Sequence, residues 1–246
     1  MRMRSSKVVV FLLTFFILLS QVFTSSFALA DNKVPFTIFH TNDMHGRLGY
    51  EEYKGKPTSF GSAREKALID KEKKENPNRT VIALDAGDAF QGLPVSNQSK
   101  GQDMAKAMNE IGYKAMAAGN HEFDFGLDTV EKYKNNPQNG GWLNFPILST
   151  NVYKDGKRLF EPSTIINENG VKIGIVGVTT PETATKTNPT GIKGVTFKKP
   201  IPEVTNEITR IKDKVDFIAV LAHLGDDTTL SLIHISEPTR QAEISY

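Results

Sequence analysis

An α/β fold is predicted by three observations. Short apolar, β-branched runs alternate with amphipathic helical ones; those runs are apolar almost throughout, as in strands covered on both faces; and the residues with ligand-type side chains fall just after them, where an α/β sheet gathers ligands at the carboxyl ends of its strands. Extended segments are read at Pro35 to His40, Thr80 to Leu84, Lys114 to Ala118, Phe145 to Ser149 and Val215 to Ala222. Helices are read at Gly61 to Glu75, Asp103 to Ile111 and Asp128 to Lys134, with a further one placing Ile201, Val204, Ile208 and Ile211 on one face. The β-branched run Gly170 to Val178 pairs with Ser163 to Asn167 across the turn Glu168-Asn169-Gly170. The mixed charges of Arg64 to Lys74 read as a solvated helix face.

The first thirty residues read as a cleaved export signal. Arg2, Arg4 and Lys7 precede the apolar run Val8 to Leu19, and Ala28-Leu29-Ala30 supplies a small-x-small cleavage pattern. The run is shorter than the roughly 20 residues of a bilayer span, so no membrane span is expected after cleavage. Setting those three basic residues aside from the 30 Lys+Arg leaves 27 against 28 Asp+Glu, a formal charge of −1. A near-neutral chain lacks the clustered basic face that a nucleic-acid polymer requires. The mature part fits one domain, since α/β domains run up to about 250 residues. With no cysteine there is no disulfide framework and no thiolate ligand, so any metal is held by N and O donors. Gly174-Ile-Val-Gly177 lies inside an apolar strand and lacks the spacing of a dinucleotide loop, and no phosphate-cradling GKS or GKT loop occurs.

Four strand ends carry the chemistry. They read Asn42-Asp43-Met44-His45-Gly46, Asp85-Ala86-Gly87-Asp88, Gly119-Asn120-His121-Glu122-Phe123-Asp124 and Ala222-His223-Leu224-Gly225. Asp43 and His45, separated by one residue, are expected to point the same way from an extended segment and grip one cation. An aspartate reached from a neighbouring strand can bridge two cations about 3.5 to 4 Å apart, which suits Asp88. Asn120 and His223 add neutral oxygen and imidazole donors. Each piece alone is an ordinary turn, cap or core histidine; four in order are not. Glycines 46, 87 and 119 fit the tight turns that lift these side chains out of the sheet.

The set Asp43-x-His45, Gly87-Asp88, Gly119-Asn120-His121-Glu122 and Ala222-His223 resembles the calcineurin-like metallophosphoesterase superfamily. The wording His40-Thr-Asn-Asp-Met-His-Gly46 and Gly119-Asn-His-Glu-Phe-Asp-Phe-Gly126 is similar to its bacterial 5′-nucleotidase, UDP-sugar hydrolase and 2′,3′-cyclic phosphodiesterase branch. The resemblance implies a four-layer αββα sandwich, here incomplete at the C-terminus. It implies two divalent ions (zinc, manganese, cobalt, magnesium or calcium) on Asp43, His45, Asp88, Asn120 and His223. It further implies a catalytic His121 paired with Asp124 and a small phosphorylated nucleotide as substrate; Glu122, lying between them, reads as a turn or supporting residue rather than a catalytic one.

The family also carries a downstream Gly-His-x-His pair and a second, substrate-binding domain, and neither is found here. The text from about Leu230, Ser231-Leu-Ile-His-Ile-Ser-Glu-Pro-Thr-Arg240, reads as foreign to the fold, so His234 is not counted as a ligand. The expected organisation is a signal over 1–30, a truncated metallophosphoesterase domain over 31–229 and a non-native tail over 230–246. The expected protein is a secreted bacterial hydrolase, extracellular, periplasmic or wall-associated. A sulfur-ester hydrolase on the same fold and a non-catalytic secreted binding module are the alternatives, the latter predicting loss of the His121 and Asp124 pair.

Overall fold

The computed structural model describes residues 35–225. The export signal and the terminal tail read from the sequence lie outside the described residues. In chain order the strands are β1 (Phe36–Thr41), β2 (Glu51–Tyr53), β3 (Lys56–Ser59), β4 (Thr80–Asp85), β5 (Tyr113–Ala117), β6 (Ile147–Leu148), β7 (Val152–Lys154), β8 (Lys157–Arg158), β9 (Ser163–Glu168), β10 (Val171–Thr179), β11 (Val195–Phe197) and β12 (Phe217–His223). The longer helices are α1 (Ser62–Glu75), α2 (Gln102–Ile111), α3 (Leu127–Lys134) and α4 (Pro200–Ile211).

Two sheets carry the architecture. One is parallel in the order β1-β4-β5-β6; the other runs β12-β10-β9, with β10 parallel to β12 and antiparallel to β9. The side-chain period of two divides each strand between layers. Ile82 and Leu84 of β4, Ala115 and Ala117 of β5 and Leu148 of β6 share one buried cluster with Ile173, Ile175 and Leu221 of the second sheet. The opposite faces, Val81, Ala83 and Met116 on one side and Val176 and Val178 on the other, pack on helices. The result is helix, sheet, sheet, helix, and each large apolar side chain buried between layers contributes about 1.5–3 kcal/mol relative to exposure.

Helix ends follow local chemistry. Within α2, Met104, Ala105, Met108 and Ile111 are buried at helical spacing. The helix stops at Gly112, whose φ of 92° is left-handed and whose N–H donates to the Met108 carbonyl. Pro200 opens α4, where its missing N–H costs nothing. Val204 and Ile211 are buried, while Ile201 at the first turn is exposed. In α1 only Ser62 and Ile69 are buried, as a solvated charged face requires.

Gly174 and Gly177 of β10 serve packing. A Cβ on Gly177 would lie 2.4 Å from the Leu148 carbonyl oxygen and one on Gly174 2.8 Å from Ile211, so the layers close up only over bare backbone. At the sheets' carboxyl ends, Thr179 Oγ1 donates to the Ala118 carbonyl at 2.6 Å. Asn151 brackets Thr179 with bonds to both its N–H and its C=O. These buried bonds tie the end of β5 to the end of β10, beside which His223 sits in register with Thr179.

Candidate metal centre

The ligand-type residues come together at the carboxyl ends of both sheets. β1, β4 and β5 of the first sheet deliver the segments after Thr41, Asp85 and Ala117, and β12 of the second delivers His223. The expected shared face for Asp43 and His45 on an extended segment is corrected. β1 ends at Thr41, and both residues are left-handed, with φ of 54° and 46°; Asp88 has φ of 58°. Such backbone costs about 1–2 kcal/mol per L-residue. It is held by a ladder between the two loops: Asp43 N–H donates to Gly87 O at 3.0 Å, His45 N–H to Asp88 O at 2.9 Å, Gly46 N–H to Ala89 O at 2.9 Å, and Leu93 N–H to His45 O at 3.0 Å. The turn, not strand alternation, makes the pair converge.

Donor atoms of Asp43, His45 and Asp88 all lie within 4.8 Å of one another. His45 Nε2 is 3.7 Å from Asp43 Oδ1. Asp88 Oδ2 is also 3.1 Å from His223 Nε2, which is in turn 3.2 Å from Asn120 Oδ1. Asp88 thus stands between an Asp43 and His45 pair and an Asn120 and His223 pair. Both histidines are aimed alike: Nδ1 of His45 donates to the Gln91 carbonyl at 2.9 Å and Nδ1 of His223 to the Ala86 carbonyl at 3.0 Å. Each therefore turns Nε2 toward carboxylates, the tautomer and orientation of metal-binding imidazoles. Burial opposes charge on His223, yet its hydrogen bond to Asp88 and the charges of Asp88, Glu122 and Asp43 push it up to about 9. Carboxylate, amide and imidazole donors gathered this closely, with both Nε2 atoms turned inward, fit a divalent cation.

Two close approaches need glycine. A Cβ on Gly119 would lie 2.2 Å from Asp88 Oδ1, and one on Gly92 2.3 Å from the His45 carbonyl oxygen. Glu122 explains how the loops stay together: wholly buried, it accepts from the N–H groups of Asp88 (2.8 Å), Ala89 (2.9 Å) and Gly119 (2.7 Å). Burial, then the charge of Asp88, pushes its carboxyl up to about 7. The supporting role read for it from sequence matches this geometry.

His121 begins a short 3-10 turn after Asn120, its N–H donating to Asp88 Oδ1 at 2.8 Å. Its Nδ1 is 2.7 Å from Asp124 Oδ2, and Thr187 Oγ1 donates to the other oxygen of Asp124. The His121 ring is edge-on to that of His45, with centroids 5.4 Å apart. With Nδ1 committed, Nε2 is the nitrogen left for proton transfer. Sequence reasoning missed Thr187, Gln91 and the Ala86 carbonyl, the partners that orient Asp124 and the two imidazoles. Nothing in their residue types marks them, because two of the three contacts are made by backbone oxygens.

The sequence matches the family described as "Calcineurin-like phosphoesterase" over residues 36–242. It is 40% identical over 202 residues to the 5′-nucleotidase of Vibrio cholerae, covering 80% of this chain and 35% of that protein. It is 34% identical over 234 residues to protein UshA of Escherichia coli, covering 92% of this chain and 40% of that one. The crystal structure of a 5′-nucleotidase precursor from Thermus thermophilus superposes with a TM-score of 0.64 at 33% identity, covering 78% of this chain and 38% of that chain. The chain thus spans little more than a third of the length of these relatives.

Proposed function

Since the chain belongs to the calcineurin-like phosphoesterase family, we propose that it is the catalytic part of an exported two-metal phosphoesterase acting on nucleoside phosphates, of the 5′-nucleotidase or 2′,3′-cyclic phosphodiesterase type. The observation that carries the reading is the placement of Asp88 between two donor pairs whose imidazoles are both locked through Nδ1. Asp43, His45 and Asp88 would hold one divalent ion and Asp88, Asn120 and His223 the other. When bound, the ions supply charge neutralisation of the phosphoryl group and acidification of a water.

The chain's own residues supply the rest. His121, oriented by Asp124, donates a proton from Nε2 to the departing ester oxygen, with Asp124 stabilising the imidazolium beforehand. Glu122 fixes the spacing of the Asp88 and Asn120 loops without touching the reacting atoms. The nucleotide class rests on the names of the relatives. Export rests on the basic and apolar N-terminal pattern, and mature protein beginning at Asp31 would verify it.

The test is phosphate release from AMP and from 2′,3′-cyclic AMP with added manganese, zinc or cobalt, for the parent chain and His121→Ala. Metal-stimulated release abolished by the substitution is the expected result. No metal-stimulated turnover on any phosphate ester would defeat the reading and leave a binding module on the same fold.

A further inference from the structure

Four polar side chains outside the metal-ligand set form an unbroken line. Glu65 of α1 meets the hydroxyl of Tyr113, the first residue of β5. That hydroxyl is 2.7 Å from Thr41 Oγ1 at the end of β1, and Thr41 Oγ1 is 2.6 Å from Asp85 Oδ2 at the end of β4. The other Asp85 oxygen accepts the Gly87 N–H at 2.8 Å. Asp85 is wholly buried and Tyr113 nearly so. Glu65, at the far end, helps line a cleft of about 790 Å³ whose wall also includes Asp43 and His45.

Three oxygen-to-oxygen contacts need three protons. Tyr113 and Thr41 bring one each, and ionised carboxylates bring none. Were Glu65 and Asp85 both ionised, one contact would set lone pairs against each other in a low-dielectric interior. The third proton therefore belongs to a carboxyl.

We propose that Glu65, Tyr113, Thr41 and Asp85 form a proton-holding site that keeps one proton between its two carboxyls at neutral pH and exchanges it with the cleft through Glu65. With the proton on Glu65, that carboxyl donates to Tyr113, Tyr113 to Thr41, and Thr41 to the Asp85 carboxylate. Shifting all three protons one step leaves the extra one on Asp85: three O–H bonds break, three form, and neither hydroxyl is ionised in either arrangement. Placing the proton on Glu65 removes a negative charge from the wall shared with Asp43 and His45, which lowers the repulsion of an anionic ester.

The surroundings favour retention. Burial, with the charges of Glu122 and Glu65, pushes the Asp85 carboxyl up to about 8 against the opposing bonds from Thr41 and Gly87. Burial also raises Glu65. Burial and the charges of Glu65 and Asp85 hold the Tyr113 hydroxyl far above its usual range, so it remains a donor. The cleft that Glu65 helps line is also lined by Asp43, His45 and the cation Arg47. The count of protons is independent of the phosphoesterase reading and survives its failure.

Infrared difference spectra of the full chain at neutral pH test it, comparing the parent with Asp85→Asn/Glu65→Gln. The expected result is that the double variant loses one protonated-carboxyl carbonyl band and one carboxylate band. Loss of two carboxylate bands, or of two protonated bands, would overturn the proposal. Tyr113→Phe keeps the ring and removes the central oxygen; it is expected to shift or delete the same protonated band, and an unchanged band would equally overturn it.

Discussion

His121 donates its Nδ1 proton to Asp124 across 2.7 Å, and Thr187 holds the second oxygen of Asp124 in place. Neither side chain of the dyad belongs to the metal-donor set, and His121→Ala keeps the backbone N–H that holds Asp88 Oδ1, so its loss should strike turnover and spare metal binding. His121→Ala is expected to lower kcat by about 10²–10⁴-fold, with Asp124→Asn lowering it in the same direction because the imidazole loses its orienting acceptor. Steady-state kinetics beside calorimetric metal titration check this; a large loss of metal affinity in His121→Ala would reassign the residue to the ligand set.

Gly119 leaves no room for a side chain beside Asp88. A Cβ there would lie 2.2 Å from Oδ1 and 2.7 Å from the Asp88 N–H nitrogen. Gly119→Ala should displace the carboxylate shared by both donor pairs and weaken metal binding by tenfold or more, on the order of the 10–100-fold seen when groups supporting metal ligands are altered. Gly49→Ala, at a position with nothing within 4 Å of the added carbon, is the control. Equal metal affinities for the two variants would contradict the packing argument.

The long buried strands were legible because both their faces are covered: β4 is buried at every residue and reads as unbroken Thr-Val-Ile-Ala-Leu. The antiparallel β9 and β10 pair was legible from its turn, where Asn169 and Gly170 both take positive φ. Strands β2, β3, β7, β8 and β11 were not, since two to four residues such as Lys157–Arg158 show no periodicity to read. At the site, the positions of Asp43, His45, Asp88, Asn120 and His223 could be read but not the backbone that unites them, because strand alternation predicts a shared face where a left-handed turn makes one. Glu65 and Tyr113 carried no signal: they meet across 48 residues of chain, and only the packing of α1 on β4 and α2 brings them together.

Glu122 receives three backbone N–H bonds in a fully buried setting, and a glutamine offers one acceptor oxygen where the carboxylate offers two. Glu122→Gln should leave a buried donor unsatisfied, at a cost of about 1–3 kcal/mol. The Asp88 and Asn120 loops should then separate, raising the metal concentration needed for half-maximal turnover more than it lowers kcat at saturating metal. Chemical denaturation and metal-dependent kinetics measure the two effects. A variant as stable as the parent would show that the three bonds are dispensable.

Asp85 ties stability to pH. Burial raises its carboxyl from the model-peptide value of 3.8 to about 8 in the folded chain. A group raised on folding contributes stability that is fully present below the unfolded value and is lost as pH rises through the folded one. Between about pH 4 and pH 8 the folded state holds one proton more than the unfolded state at this position, so stability should fall with rising pH, with a limiting slope of about 1.4 kcal/mol per pH unit. Asp85→Asn keeps an acceptor for Gly87 and gains a donor toward Thr41 without any titration. Its unfolding free energy should therefore be flatter across that window, and its curve should approach or rise above the parent's toward pH 8. Denaturant midpoints taken at several pH values decide the matter: parallel curves for parent and variant would mean that Asp85 adds no proton to the folded chain across this window.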